Sequence, residues 1–242
     1  MKYDVVFVFG VGRCGSGFTS TVLSLHPDIL LFAGPPFGYL RESKKKVFTF
    51  DDLKSNWKVN PELEFEQNIN KKEGYEKYYE YLKNKQKENG IINIWDNRGE
   101  CHYSSLLNRI QGRHLMLYCA RPIIDHCRSF KRFFGQQAGG RYFLDHLQRS
   151  LQSIKEAKGV DIVILNVCPK SPEEKITIFE KIHNIIGFTM TDLQRDFVME
   201  NRRIGGVREE KNNYSDAEIM SEINYNKNPL VLDYEKLLEE AL

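Results

Sequence analysis

The chain has 242 residues and a formal net charge of +2, so it is long enough for one well-cored α/β domain and too weakly charged to indicate nucleic acid or a membrane as a partner. Five cysteines, an odd number without zinc-type spacing, favour reduced thiols in a cytoplasmic protein over a disulfide framework. A strand begins directly after residues 1–4, and no apolar run approaches the roughly twenty residues of a membrane span. We therefore expect neither a leader nor a spanning segment.

The N-terminal residues predict a strand, a glycine loop and the start of a helix. The run Val5–Phe9 is β-branched and aromatic, and four glycines follow within the next eight residues. The apolar spacing becomes helical after Phe18 and ends before Pro27. The N–H groups of the helix N-terminus, the helix dipole and the Arg13 cation would converge on this loop. This arrangement predicts a site for a phosphate-like anion, and therefore for a nucleotide.

Several nucleotide-binding loops share this outline, and the neighbouring residues separate them. Residues 10–15 match the dinucleotide fingerprint G-x-G-x-x-G, but the acidic residue expected about twenty positions later is missing from 30–34. A Rossmann-type NAD(P)-dependent oxidoreductase remains an alternative. A kinase or GTPase loop would need Lys and then Ser or Thr after Gly15, where Ser16-Gly17 stands. A phosphatase-type cysteine loop would need an arginine in place of Ser20, so metal-assisted phosphoryl transfer and thiolate catalysis are disfavoured.

The loop resembles the 5′-phosphosulfate loop of sulfotransferases that use 3′-phosphoadenosine-5′-phosphosulfate (PAPS), in their carbohydrate-type or bacterial branch. The likeness covers Arg13-Cys14-Gly15-Ser16-Gly17-Phe18 and the later Leu25-His26-Pro27-Asp28. It implies that PAPS is bound by these residues: Arg13, Cys14, Gly15, Ser16, Gly17, Phe18 and Thr19. One departure follows the second predicted strand, 29–32, because Gly34 stands where that branch has a glutamate as candidate base.

The middle of the chain offers candidates for the missing base. Residues 41–70 are polar and irregular and predict a flap or an insertion, while 75–89 predict a helix that ends at Gly90. The strand 91–95 then leads to Asp96, Arg98 and His102. His102 can titrate near neutral pH and take a proton from an acceptor, and Asp96 is the second candidate. By loose resemblance Arg98 replaces a lysine that contacts the sulfuryl group, but a helix-capping Asp and a surface His are the more ordinary explanation of these residues.

A second candidate site follows the strand 114–120. Arg121 and Ser129, eight residues apart, match the arginine and serine by which sulfotransferases hold the 3′-phosphate of PAPS. The arginine would leave the strand end as a forked donor, and the serine would lie two turns along the next helix. Further basic residues crowd this helix and the loop after it, as an anion-attracting surface or as a solvated basic face: Arg128, Lys131, Arg132 and Arg141.

The rest of the chain predicts alternating helices and strands. We expect a helix over 141–158, a strand over 161–167, and a helix that opens with a capping box at Ser171 and ends near Gly187. Residues 201–208 partly match a family loop that closes over the cofactor, which implies roles for Arg202 and Arg208 in binding it. Ser215 caps a short helix, and 230–235 resemble a Tyr-Glu strand end of the family.

These elements predict a three-layer α/β/α fold with a mainly parallel sheet and the P-loop-like architecture of sulfotransferases, as one domain over residues 1–242. The resemblance implies transfer of a sulfuryl group from PAPS to a hydroxyl or amine of a small-molecule or carbohydrate acceptor. Arg13 and the loop N–H groups would stabilise the leaving phosphate, and the product would be adenosine 3′,5′-bisphosphate. No metal is expected. A non-catalytic nucleotide-binding relative is the other alternative, since Gly34 cannot accept a proton.

Overall fold

The computed structural model describes residues 3–33, 41–42, 91–95, 112–135, 139–168, 170–200 and 214–242. Within these ranges six strands form one sheet. The strands are β1 Val5–Phe9, β2 Ile29–Ala33, β3 Arg41–Glu42, β4 Ile91–Trp95, β5 His114–Cys119 and β6 Asp161–Leu165. The described helices are α1 Ser16–Ser24, α2 Ile123–Phe134, α3 Gly140–Glu156, α4 Pro172–Ile186, α5 Asp192–Met199, α6 Asp216–Glu222 and α7 Pro229–Glu239.

The sheet is mainly parallel, and its order is β3-β2-β4-β1-β5-β6. The short β3 pairs with β2 in the antiparallel sense, and every other pairing is parallel. β1 lies between β4 and β5 in the sheet. β2, which follows β1 along the chain after α1, is therefore not its neighbour but lies on the far side of β4. In the usual dinucleotide-binding order, strands 1 and 2 are neighbours. The observed order therefore disfavours the Rossmann-type alternative.

Helices cover both faces of the sheet because its central strands are apolar on both sides. On one face the side chains of Val6 and Val8 pack with α1, α4 and α5. On the other face Phe7, Phe9 and Tyr118 pack with α2, α3, α6 and α7. All five β1 side chains are completely buried. The predicted three-layer α/β/α architecture is confirmed.

Most element boundaries agree with the sequence to within two residues, and the caps explain why. α4 begins at a capping box formed by Ser171 and Glu174 and ends at Gly187, which has a φ of 96°. α6 begins at a second capping box on Ser215. The predicted helix over 75–89 and the flap or insertion over 41–70 fall outside the described residues, apart from Arg41–Glu42.

The expectation for the C-terminal segment is wrong. Residues 230–235 do not end a strand but lie inside α7, which begins at Pro229 after an Asn228 cap. The last residue, Leu242, instead hydrogen-bonds to the β6 edge through Ile164 and Asn166. Helix α5 was not predicted, although Thr191 and Gln194 form a capping box in front of it. Within the described ranges, no helix is both long and apolar enough to cross a membrane.

Candidate anion-binding site

The glycine loop between β1 and α1 has glycine at two positions where a larger residue would clash with neighbouring atoms. A Cβ on Gly10 would lie 2.4 Å from the Cys119 carbonyl oxygen, and Gly10 has a φ of +151°. Gly15 has a φ of +98°, and a Cβ there would lie 2.8 Å from a Val167 methyl carbon. These two glycines let the loop turn tightly against the ends of β5 and β6.

Arg13 lies in the same loop with a φ of 75°, in the left-handed region that non-glycine residues rarely adopt. Its guanidinium carbon stacks 4.8 Å from the centre of the Phe133 ring on α2. The side chain is exposed. Strained backbone conformations cluster at functional sites. Here the strained residue places its cationic side chain at the mouth of the loop.

The N-terminus of α1 has no side-chain cap, which it shares with α2 and α3 but not with the four later helices. Gly15 is its N-cap and offers no side-chain acceptor, and the first turn contains no acidic residue. By contrast, α4 has both a capping box and two glutamates in its first turn. The first N–H groups of an uncapped helix and its dipole favour an anion. The start of α1 therefore has the donors that the sequence predicted.

The Cys14 thiol reports the same preference for negative charge. Burial would raise its pKa, but hydrogen bonds from Cys119 and from the Ser16 hydroxyl and N–H outweigh burial and lower the pKa of Cys14. Burial and the neighbouring Cys14 raise the pKa of the Cys119 thiol well above its usual value. The pKa values of the two thiols are therefore shifted in opposite directions, and Cys14, in the loop, loses its proton more readily than Cys119.

Arg121 stands at the end of β5, beside the loop. Its backbone N–H donates to the Tyr234 hydroxyl at 2.8 Å, and that hydroxyl donates to its carbonyl oxygen at 2.9 Å. Its Nε is buried and has no hydrogen-bond partner among the described residues. Because a buried donor without a partner is costly, this nitrogen fits a forked contact with an acidic oxygen.

Three cations lower the pKa of one thiol, that of Cys168, which follows β6. Burial raises the pKa of Cys168, while Arg121, Lys175 and Arg13 each oppose that increase electrostatically. Arg121 and Arg13 also act together on His126, where both disfavour the protonated ring. Arg13 and Arg121 therefore contribute to the same electrostatic environment, at the carboxyl ends of β1 and β5, where open α/β sheets place ligands.

Ser129 lies on the row of α2 that faces this region. It is one turn beyond His126, which contacts the loop carbonyls, and one turn before Phe133, which stacks under Arg13. Its side chain is partly exposed. The predicted partner of Arg121 thus lies on the same helix row as two loop-contacting residues.

Two residues of the predicted cofactor set direct their side chains into the protein. The Phe18 ring packs against Phe179 and Phe197 at 6.0 and 5.6 Å between ring centres. Thr19 is completely buried, and its hydroxyl lies 3.5 Å from the Cys119 sulfur. Phe18 can therefore reach an anion only through its N–H group, and the Thr19 N–H already donates to the Gly15 carbonyl oxygen at 3.0 Å.

The His-Pro-Asp segment lies at the amino ends of the parallel strands, opposite the end that carries the glycine loop. It connects the end of α1 to the start of β2, and the Asp28 N–H donates to the His26 ring at 3.2 Å. That ring stacks on Phe188 with 4.3 Å between centres. Because β1 and β2 run in the same direction, the start of β2 is far from the glycine loop. The segment therefore connects and packs elements and contributes no side chain to the anion site.

Two basic residues of α2 are held in ion pairs away from the loop. Arg128 contacts Asp125 and Asp216. Lys131 contacts Glu222 and lies 4.1 Å from the centre of the Tyr214 ring. One of these three ion pairs lies within α2 and two connect α2 to α6, so both cations already have carboxylate partners.

Several predicted site residues fall outside the described residues: Asp96, Arg98, His102, Arg202 and Arg208. Gly34 falls there too. β4, which leads to the first three, is described, and Trp95 pairs in register with Val8 of β1. The strand that precedes the candidate bases is thus the immediate neighbour of the strand that precedes the loop.

Four residues of the site were missed by sequence reasoning: His126, Cys168, Lys175 and Tyr234. Cys168 follows a strand end at the ligand-binding edge, a signal that was present in the sequence. Lys175 is more than nine-tenths buried and lies 5.2 Å from the centre of the Phe18 ring. Tyr234 lies in the segment 230–235 that resembled a strand end, but its contact with Arg121 joins residues 113 positions apart and could not be read from the sequence.

Comparison with known proteins gives a match among solved structures but none among families or curated sequences. No protein-family model matches this chain, and no curated protein sequence matches it either. Among solved structures, the chain is similar to the sulfotransferase domain of an olefin synthase from Synechococcus PCC 7002. The TM-score is 0.49 at 13% sequence identity, over 98% of this chain and 95% of that one. Values this low assign no residue role to this chain.

Proposed function

We propose that the protein is a PAPS-dependent sulfotransferase that moves a sulfuryl group to a hydroxyl or amine of a small-molecule or carbohydrate acceptor. The observation that carries the proposal is that Arg13 and Arg121 follow the carboxyl ends of β1 and β5, which pair in parallel up to Phe9 and Tyr118. Both cations also oppose protonation of His126. A nucleotide with phosphates at both its 5′ and 3′ positions needs two such cationic sites side by side.

The described residues fit this ligand in two places. The uncapped start of α1, with Arg13 beside it, offers N–H donors and positive charge for the 5′-phosphate. The Nε of Arg121, which has no hydrogen-bond partner in the described part of the chain, offers a donor for the 3′-phosphate, and Ser129 can add a hydroxyl. A single anion would occupy one of these places and leave the other without a role.

The chemistry would depend on charge stabilisation and on one proton transfer. PAPS supplies an activated sulfuryl group on a phosphate that leaves. Arg13 and the N–H groups of α1 would stabilise the negative charge that develops on this phosphate. Asp96 or His102, which follow the strand beside β1, would take the proton from the acceptor. Within this proposal, membership of the carbohydrate-type branch rests on the loop resemblance alone.

A thermal-shift panel tests the proposal with PAPS, adenosine 3′,5′-bisphosphate, ATP and NADP. PAPS and the bisphosphate should raise the melting temperature, and NADP should not. The Arg121→Ala variant should lose the bisphosphate shift. Arg128→Ala, which removes a cation that is held in ion pairs on the same helix, should keep it.

Binding without turnover would instead indicate a non-catalytic nucleotide-binding relative. Transfer of labelled sulfate from PAPS to a panel of hydroxyl and amine acceptors separates the two functions. A shift with NADP and none with PAPS or the bisphosphate would overturn the proposal.

A further inference from the structure

The C-terminal helix α7 reaches the candidate site through one buried side chain. Tyr234 is completely buried, and its hydroxyl contacts both the N–H and the carbonyl oxygen of Arg121. Arg121 comes directly after the last sheet hydrogen bond of this strand, which runs from the Ala120 N–H to the Leu165 carbonyl oxygen at 2.7 Å. Pro122 follows and has no N–H. The Tyr234 hydroxyl therefore provides both described hydrogen bonds of the Arg121 backbone.

His126 connects the same hydroxyl to the glycine loop. Its Nε2 lies 3.2 Å from the Val11 carbonyl oxygen and 3.0 Å from that of Gly12. Two acceptors at this nitrogen require it to carry the hydrogen, so Nδ1 is left as an acceptor. Nδ1 lies 3.3 Å from the Tyr234 hydroxyl, so it shares the single hydrogen of that hydroxyl with the Arg121 carbonyl oxygen. Burial keeps the ring neutral, because it lowers the pKa of His126 to about 4.

We infer that Tyr234 and His126 form a positioning bridge that fixes the distance between the glycine loop and Arg121. The bridge contacts backbone atoms on both sides: the Val11 and Gly12 carbonyls of the loop, and both polar groups of Arg121. It rests on the proposed function, in which these two elements grip opposite ends of one nucleotide. In this proposal Tyr234 does not touch the nucleotide: it positions the Arg121 backbone, and His126 connects it to the loop.

The inference predicts which ligand is affected when the hydroxyl is removed. Tyr234→Phe leaves the ring in its packing and frees the Arg121 backbone, so the 3′-phosphate contact should weaken while the start of α1 stays intact. We expect the affinity for adenosine 3′,5′-bisphosphate to fall about tenfold, equivalent to 1.4 kcal/mol. The affinity for adenosine 5′-monophosphate, which has no 3′-phosphate, should stay within about twofold.

Isothermal titration of both ligands against five proteins tests this: wild type, Tyr234→Phe, Arg121→Ala, the double variant and Tyr225→Phe. Tyr225 is a partly buried tyrosine packed against the same cluster, and its variant should bind as the wild type does. In the Arg121→Ala background, Tyr234→Phe should cost no further affinity, because the two residues act as one unit. Equal weakening of both ligands, or no weakening, would overturn the bridge.

A second measurement needs no variant. Hydrogen exchange of the wild-type protein should show the Arg121 amide strongly protected without ligand, and free exchange of that amide would overturn the inference. The outcomes also separate the two proposals. If the wild type binds the bisphosphate no better than the monophosphate, the proposed function fails, and the protection of the Arg121 amide still decides whether the bridge exists.

Discussion

Acid should destabilise the protein through His126, and the direction follows from its surroundings. Burial lowers the pKa of this imidazole from its usual 6.5 to about 4, and the Arg121 and Arg13 cations act in the same direction against the opposing loop carbonyls. Below about pH 6.5 the unfolded chain therefore binds a proton that the folded chain refuses until about pH 4. Stability should be constant above this window and fall as the pH falls through it.

The size of the effect follows from the two pKa values. Each pKa unit corresponds to about 1.4 kcal/mol, so the full shift of His126 amounts to about 3 kcal/mol once both states are protonated. Between about pH 7.5 and pH 5 the partial protonation of the unfolded chain gives a loss of about 2 kcal/mol. This is a large fraction of the usual stability of a domain.

Urea unfolding at these two pH values measures the loss, with His126→Gln as the control. Glutamine keeps an N–H donor for the loop carbonyls but does not titrate. The other buried histidines, His26 and His183, also have lowered pKa values, chiefly because of burial, and they contribute equally to both proteins. The wild type should therefore lose about 2 kcal/mol more than the variant. Equal losses in the two proteins would refute the reasoning.

Three further variants test the loop and the charge around it. Arg13→Gly removes a backbone strain of about 1 kcal/mol and a cation–π contact of similar size, so the melting temperature should move by only a few degrees while bisphosphate binding disappears; a melting temperature that falls far below this range would contradict that balance. Gly15→Ala should destabilise the protein by more than Gly135→Ala, because both glycines have a positive φ but a Cβ on Gly135 meets nothing within 4 Å; equal melting temperatures would show that the loop has room. Arg121→Gln should raise the pKa of Cys168 and slow its alkylation by iodoacetamide near neutral pH, and an unchanged pH–rate profile would show that the cation is not near this thiol.

The sequence predicted the fold well because its signals are local. The apolar run of β1, the capping boxes at Ser171 and Ser215, and the helix stop at Gly187 each act within a few residues. The strand end expected over 230–235 rested on resemblance to a Tyr-Glu motif of the family, and the short apolar segment before Tyr234 suits a helix as well as a strand. The Asn228-Pro229 start of the C-terminal helix was the local signal that would have decided the matter.

The site was only partly predictable, because half of it depends on long-range contacts. Arg13 and Arg121 could be found from their positions after strands, and the structure brings them into one electrostatic environment. The inward direction of Phe18 and the bridge through His126 depend on which helices pack beside the loop. Spacing along one chain carries no information about such packing, so these features needed coordinates.

The most direct test of the central claim is a crystal structure with adenosine 3′,5′-bisphosphate bound. The expected result is one nucleotide with its 5′-phosphate at the start of α1 beside Arg13 and its 3′-phosphate on Arg121 and Ser129. A nucleotide that contacts Arg13 or Arg121 but not both, or one bound at another edge of the sheet, would contradict the account.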